Sequence, residues 1–241
     1  MDYLHEGERY DDLQISGLRI IQNPNYFCFG MDAVLLSGFV VAKAGEQVID
    51  MCTGSGIIPL LLYAKTRASH ITGIEIQQQV ADMARRSVAS NAIENISIIT
   101  GDIRDCTLLA KYKNIDVVTC NPPYMKSGLT NPSDTKAIAR HEICCSLEDA
   151  ISAACAMLKN GGRFYMVHRP TRMADIFEVM GAHHMEIKRM RLVHSYADKE
   201  ATMVLLEATK GGGRQTIVEP PLIIFEKDGS YTREIRQKYG Y

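Results

Sequence analysis

Gln47-Val48-Ile49-Asp50-Met51-Cys52-Thr53-Gly54-Ser55-Gly56-Ile57-Ile58-Pro59 decides how this chain folds. An apolar run ends on an acid, a glycine-rich turn follows, and a second apolar run begins. Residues 47–51 read as a strand. Residues 58–65 read as a helix, with Pro59 tolerated in the first turn, where a backbone N–H has no intrahelical partner. Gly54 and Gly56 let the backbone of the turn approach a ligand closely. The same stretch disfavours two ligand classes. A dinucleotide fingerprint G-x-G-x-x-G needs a third glycine where Pro59 stands, which speaks against a nicotinamide dehydrogenase. A P-loop needs Gly-Lys-Ser/Thr, and none follows. A carboxylate at Asp50 would repel a pyrophosphate and would suit a cationic group, such as an amino acid's ammonium.

Outward from this stretch, strand and helix patterns alternate. Residues 70–75 read as a strand, 77–91 as a helix, 96–100 and 115–120 as strands. Residues 147–158 read as a helix that Asn160-Gly161-Gly162 would stop as a C-cap. A strand at 163–168, a helix at 172–180 and strands at 185–193 and 202–208 follow. No helix fits between the last two, so they are expected to pair as a hairpin. The expected fold is α/β: a Rossmann-like, doubly wound, seven-stranded sheet, mostly parallel, with a C-terminal antiparallel hairpin. Residues 1–45 are expected to form an extension of short strands (within 13–21) and one helix (32–41), packed on a core domain at 46–210. Residues 211–241 read as a tail with a hairpin around Asp228-Gly229.

The 241 residues are 46% hydrophobic and 23% charged, which suits a folded core and excludes a disordered chain. There is no apolar run of membrane-spanning length and no visible signal peptide. Seven scattered cysteines form no CxxC pair, so neither a metal site nor a disulfide framework is expected, and a reduced cytoplasm fits. The net charge of −1 hides an asymmetry: residues 1–158 hold 13 Lys and Arg against 18 Asp and Glu, and residues 159–241 hold 14 against 10.

The polar residues Asp50, Glu75, Asp102 and Asn121 all fall at carboxyl ends of expected strands, where open α/β sheets bind ligands. Glu75 lies about 20 residues past the glycines, the spacing at which an acid accepts hydrogen bonds from ribose hydroxyls. Asn121-Pro122-Pro123-Tyr124 speaks to reaction type. Two prolines remove two donors and leave carbonyl acceptors; the Asn side-chain carbonyl adds another. An NH₂ group donating to both keeps its lone pair free to attack, and Tyr124 offers a face on which a base can stack.

Asp50-x-x-x-Gly54-x-Gly56 resembles the first motif of class I S-adenosylmethionine (SAM) methyltransferases, and Asn121-Pro-Pro-Tyr124 resembles the fourth motif of those that methylate amino groups. The resemblance extends to the bacterial tRNA1(Val) adenine-N6 methyltransferase family. It runs through Asn23-Pro-Asn-Tyr-Phe-Cys-Phe29-Gly30-Met-Asp32, the glycine turn, His194-Ser-Tyr-Ala-Asp-Lys-Glu-Ala201 and Pro220-Pro221-Leu222. It implies SAM as cofactor, held by Phe29, Gly30, Asp32, Asp50, Thr53, Gly54, Gly56, Glu75, Ile76, Asp102, Ile103 and Asn121. Asp32 would lie near the methionine end; Asp102 would accept from the adenine amine and Ile103 would lie against the ring. Asn121, Pro122, Pro123 and Tyr124 would be the catalytic residues.

The implied substrate is adenine N6 in a tRNA anticodon loop, with the exact tRNA and nucleotide left open. The expected enzyme is cytoplasmic and metal-free, with a monomer favoured and the oligomeric state left open. Two alternatives stand beside it: a protein glutamine N5-methyltransferase acting on a release factor, and a non-catalytic SAM- and RNA-binding protein. Candidate RNA contacts are Lys126, Lys136, Arg140 and His141 in a long loop at 125–143, then Arg169, Arg172, Lys188, Arg189 and Arg191.

Overall fold

The computed structural model describes residues 3–26, 28–122 and 145–239. Phe27, Pro123, Tyr124 and the four candidate RNA contacts at 126–141 lie outside the described residues. The elements run β1 (Arg9–Asp12), β2 (Arg19–Gln22), α1 (Met31–Phe39), β3 (Gln47–Met51), α2 (Ile57–Lys65), β4 (His70–Glu75), α3 (Gln78–Ser90), β5 (Ile96–Thr100), α4 (Cys106–Leu109), β6 (Ile115–Cys120), α5 (Leu147–Met157), β7 (Leu158–His168), α6 (Met173–Ala182), β8 (Met185–His194), β9 (Ala201–Lys210), β10 (Ile217–Val218), β11 (Leu222–Ile223) and α7 (Arg233–Tyr239).

The main sheet is ordered β5-β4-β3-β6-β7-β9-β8, with β10 and β11 both laid along the outer side of β8. β5 to β7 are parallel, and β9 runs antiparallel to both its neighbours, β7 and β8. The expected hairpin is therefore present. The central strands are apolar on both faces, as a sheet covered by helices on both sides requires. Val48, Val117, Tyr165 and Leu205 pack under α1, α2 and α3. Their neighbours Ile49, Val118, Phe164 and Leu206 pack under α5 and α6. The chain leaves β3 for β4 on one side and later returns to β6 on the other. The crevice at this reversal, beyond Met51 and Cys120, is where such a sheet leaves room for a ligand.

Three features differ from the sequence expectation. β10 and β11 extend the sheet, since strands of two residues carry no readable periodicity. α7 follows the turn in which Phe225 bridges Tyr231. Asn160-Gly161-Gly162 does not cap α5, which ends at Met157 with Leu158 already extended. The three residues belong to a looped-out segment of β7, where Leu158 faces Ile115 but Arg163 already faces Val117. Gly162 is required there: a Cβ would sit 2.9 Å from the Lys159 carbonyl oxygen and 3.0 Å from that of Ile115.

Both ends of the chain are fastened by arginines. Arg86 of α3 grips Glu8 through two bonds of 2.6 and 2.7 Å, and so holds the β1–β2 ribbon against the sheet domain. This pairing holds the Glu8 carboxyl below its ordinary range. Arg191 of β8 donates to Glu234 of α7 at 2.7 and 2.8 Å and to the Pro220 carbonyl at 2.8 Å. Leu222, Ile224 and Ile235 of the tail enter the same core as α1. Among the described residues, no helix is long and apolar enough to cross a membrane.

Candidate functional site

Asp50 ends β3 with its side chain wholly buried. Thr53 Oγ1 and Thr119 Oγ1 each donate to it at 2.6 Å. Burial pushes its carboxyl up to about 7; the two hydroxyls oppose that rise and the nearby Glu75 adds to it. The turn that follows uses left-handed backbone at Cys52 (φ 55°), Gly54 (φ 56°) and Gly56 (φ 85°). Cys52 bears a side chain in that region, at a cost of about 1–2 kcal/mol. Thr53 is admitted because β4 carries Gly73 beside it: a Cβ there would lie 2.8 Å from Thr53 Oγ1.

Glu75 ends β4 and is 5% exposed. Its carboxylate accepts the Gly54 N–H at 3.0 Å and the Gln77 N–H at 2.9 Å, so it braces the turn from the adjacent strand. Ile76 beside it is 40% exposed. Thr100 of β5 stands opposite Glu75, and Arg85 pins this strand end through the Ile98 carbonyl (2.9 Å) and Thr100 Oγ1 (2.5 Å). Asp102 is paired with Arg104 at 2.6 Å, which holds its carboxyl below the usual range. Ile103 is 5% exposed and belongs to the core cluster that includes residues of α5 and α6.

Asn121 follows β6. Its Nδ2 donates to Asp32 Oδ2 at 3.0 Å, while its Oδ1 is buried and has no hydrogen-bond partner among the described residues. A buried carbonyl left unpaired costs about 1–3 kcal/mol, so its retention asks for a ligand that donates to it. Pro122 is buried beside it. Asp32 lies in the first turn of α1, and Gly30, in extended conformation, precedes that helix. Gln22, wholly buried at the end of β2, donates to Ser55 Oγ at 2.7 Å and accepts the Phe29 N–H at 3.2 Å. The lead-in segment is thereby bonded directly to the glycine turn.

Asp50, Thr53, Gly54, Gly56 and Glu75 thus form one hydrogen-bonded unit. Thr119 links it to the strand that carries Asn121, and Asn121 links it to Asp32. Sequence reasoning missed Gln22, Ser55, Arg85 and Thr119. The available signal for two of them was a polar residue inside an apolar strand, Gln22 after Ile20-Ile21 and Thr119 after Val117-Val118. The basic residues expected to face RNA fare differently. Arg189 is engaged with Glu207 (2.9 Å) and Glu219 (2.8 Å), Arg191 with Glu234, and Lys188 with the Gly213 carbonyl. These three tie β8 to its surroundings rather than forming a free basic face. Arg172 pairs with Asp175 at 2.5 Å at the surface. No cluster of three or more His, Cys, Asp or Glu fit to hold a metal occurs among the described residues.

A family model described as methyltransferase small domain matches residues 18–191. A tRNA1(Val) (adenine(37)-N6)-methyltransferase of Porphyromonas gingivalis is 30% identical over 185 residues, covering 74% of this chain and 72% of the relative. A protein of the same name from Aeromonas salmonicida is 29% identical over 206 residues, covering 84% of each. Among solved structures, an Agrobacterium tumefaciens protein described as a predicted O-methyltransferase superposes with a TM-score of 0.71 at 24% identity, over 87% of this chain and 96% of that one. TrmN from Thermus thermophilus gives 0.55 at 20% identity, over 74% of this chain and 48% of that one. At these identities the structural likeness speaks to the fold alone.

Proposed function

From the premise that the chain belongs to the methyltransferase small domain family, we propose that it methylates the N6 amine of an adenine in the anticodon loop of a tRNA. The methyl donor is S-adenosylmethionine, whose sulfonium supplies an activated methyl group and its own leaving group. The residues present fit that donor. A buried acid at Asp50 complements an ammonium, the left-handed glycine turn admits a ligand against the backbone, and exposed Ile76 offers apolar surface beside Glu75. In this reading Phe29, Thr53, Asp102 and Ile103 line the donor's surroundings, with Asp102 presenting a hydrogen-bond acceptor. Residues 46–210 carry the chemistry, with 1–45 and 211–241 as packed appendages.

The observation that carries the reading is the buried Oδ1 of Asn121, which has no partner among the described residues. In this reading it accepts one N–H of the incoming amine and the Pro122 carbonyl accepts the other, so the nitrogen lone pair stays directed at the methyl group. Holding the amine in that attitude is a positioning effect, of the kind worth several orders of magnitude in rate. Pro123 and Tyr124 complete the motif in sequence, Tyr124 as a stacking face for the base. The transfer itself needs no general base; the proton is shed after the nitrogen has gained its methyl.

The test is incubation of the purified protein with labelled SAM, total RNA and total protein, followed by nucleoside and amino-acid analysis. Label in N6-methyladenosine of tRNA, abolished in Asn121→Ala with SAM affinity retained, supports the proposal. Label in protein glutamine overturns the substrate. tRNA binding without turnover overturns the enzymatic role.

A further inference from the structure

Asparagine at the amine-accepting position poses a problem of orientation. Its side chain carries an acceptor and a donor of nearly the same shape, and only one orientation serves. With Oδ1 toward the substrate the group accepts an N–H; flipped, it would present its own N–H bonds to an amine that also donates. The residue must therefore be held one way round by something other than substrate.

Asp32 is placed to do this. Its Oδ2 receives Asn121 Nδ2 at 3.0 Å, and its Oδ1 receives the Ala33 N–H at 3.0 Å. An ionised carboxylate has only acceptors, so it pairs with the NH₂ end of the amide and repels the oxygen end. The amide is left with Oδ1 buried and unpaired among the described residues. Gly30 belongs to the same device, because a Cβ at that position would lie 2.8 Å from Asp32 Oδ1. Any side chain there would push the carboxylate off its seat. Asp32 and Asn121 lie 89 positions apart and are joined by this bond between side chains.

We propose that Asp32 is a positioning residue that orients the Asn121 amide for the acceptor amine, with Gly30 providing the space for it. This goes beyond its sequence expectation as a contact of the donor's methionine end, and it rests on the assignment of Asn121 as the amine acceptor. A charge-assisted hydrogen bond favours the productive orientation by roughly 10- to 100-fold over the flipped one. Removing the carboxylate forfeits that preference in turnover, while the donor's own contacts stay in place.

The experiment compares Asp32→Ala, Asp32→Asn, Gly30→Ala and Asn121→Ala by steady-state methylation of tRNA and by calorimetric titration with SAM. The expected result is a kcat lowered about 10- to 100-fold in Asp32→Ala, with SAM Kd within about twofold of the parent. Asp32→Asn keeps an oxygen that can accept from Nδ2, so it recovers part of the loss. Gly30→Ala falls in the same direction as Asp32→Ala. Unchanged kcat in Asp32→Ala, or a SAM Kd weakened in step with kcat, overturns the proposal, the second outcome returning Asp32 to the donor site. Full activity in Asn121→Ala sinks the acceptor assignment itself, a result separate from both. Should Asp32→Ala not fold, the isosteric Asp32→Asn decides alone: kcat unaltered, or lost together with SAM affinity, counts against the device.

Discussion

Replacing Asp50 with asparagine is expected to make the ligand-free protein more stable at neutral and alkaline pH and less able to hold its methyl donor. The carboxyl is wholly buried and its pKa rises from an ordinary 3.8 to about 7. The folded chain therefore keeps a proton that the unfolded chain releases between these two values. Below about pH 4 both states are protonated and folding bears no penalty. As pH rises toward 7 the unfolded state gains from ionising and the folded state does not, so stability falls; above 7 the loss is constant. The interval corresponds to about 4 kcal/mol.

Asparagine mimics the protonated acid, since its oxygen can accept from one threonine hydroxyl and its NH₂ can donate to the other after that hydroxyl rotates. For a chain of this length 1 kcal/mol moves Tm by about 2–4 °C, so the variant should exceed the parent by on the order of 10 °C at pH 8. The assay is thermal unfolding of both proteins from pH 4 to 8.5 without SAM, paired with calorimetric SAM titration at pH 8. Curves that meet near pH 4 and separate above it are expected, with weaker SAM binding by the variant. A gap independent of pH, or a parent more stable at pH 8, would refute the electrostatic account of this site.

Other expectations follow from the same geometry. Gly73→Ala places a Cβ 2.8 Å from both Thr53 Oγ1 and Ile98 Cδ1; it should cost about 1–3 kcal/mol in denaturant unfolding and loosen SAM binding as Thr53 is displaced. Gln22→Leu removes the link between Ser55 and the Phe29 backbone; a loss of about 1–3 kcal/mol is expected, and hydrogen exchange should quicken at Phe29 and in the glycine turn. Arg191→Ala removes two bonds to Glu234 and one to the Pro220 carbonyl. A destabilisation of about 2–4 kcal/mol, seen with faster exchange in α7 and β11, is expected, and an unaltered tail would contradict the anchoring role.

The central strands were legible because parallel strands buried on both faces are apolar runs closed by turn residues, as at 47–51 and 115–120. The strand-end acids were legible because they stand at those closures. The looped-out Lys159–Gly162 segment was not, since Asn-Gly-Gly after a helix reads equally as a cap, and only the register between β6 and β7 distinguishes the two. The fates of Arg189 and Arg191 were hidden for a related reason: a basic strand looks like a binding face until the acids it meets, Glu207, Glu219 and Glu234, are brought from elsewhere in the chain. Gln22 and Asp32 act across 33 and 89 positions respectively. No local pattern encodes such pairs.

One feature of the sheet has a bearing on how such a protein can diverge. Asp50 and Thr119 are direct partners in the β3–β6 ladder, and Asn121 comes two residues later. Neighbouring strands lie about 4.8 Å apart wherever they occur. The separation between the donor-side acid and the acceptor-side amide is therefore set by backbone hydrogen bonding, not by loops. It also cannot drift by small steps, because a slip of one residue would turn every side chain of the strand to the opposite face. The two strands therefore hold this spacing like the jaws of a caliper, and any change of substrate falls to the segments that come after it.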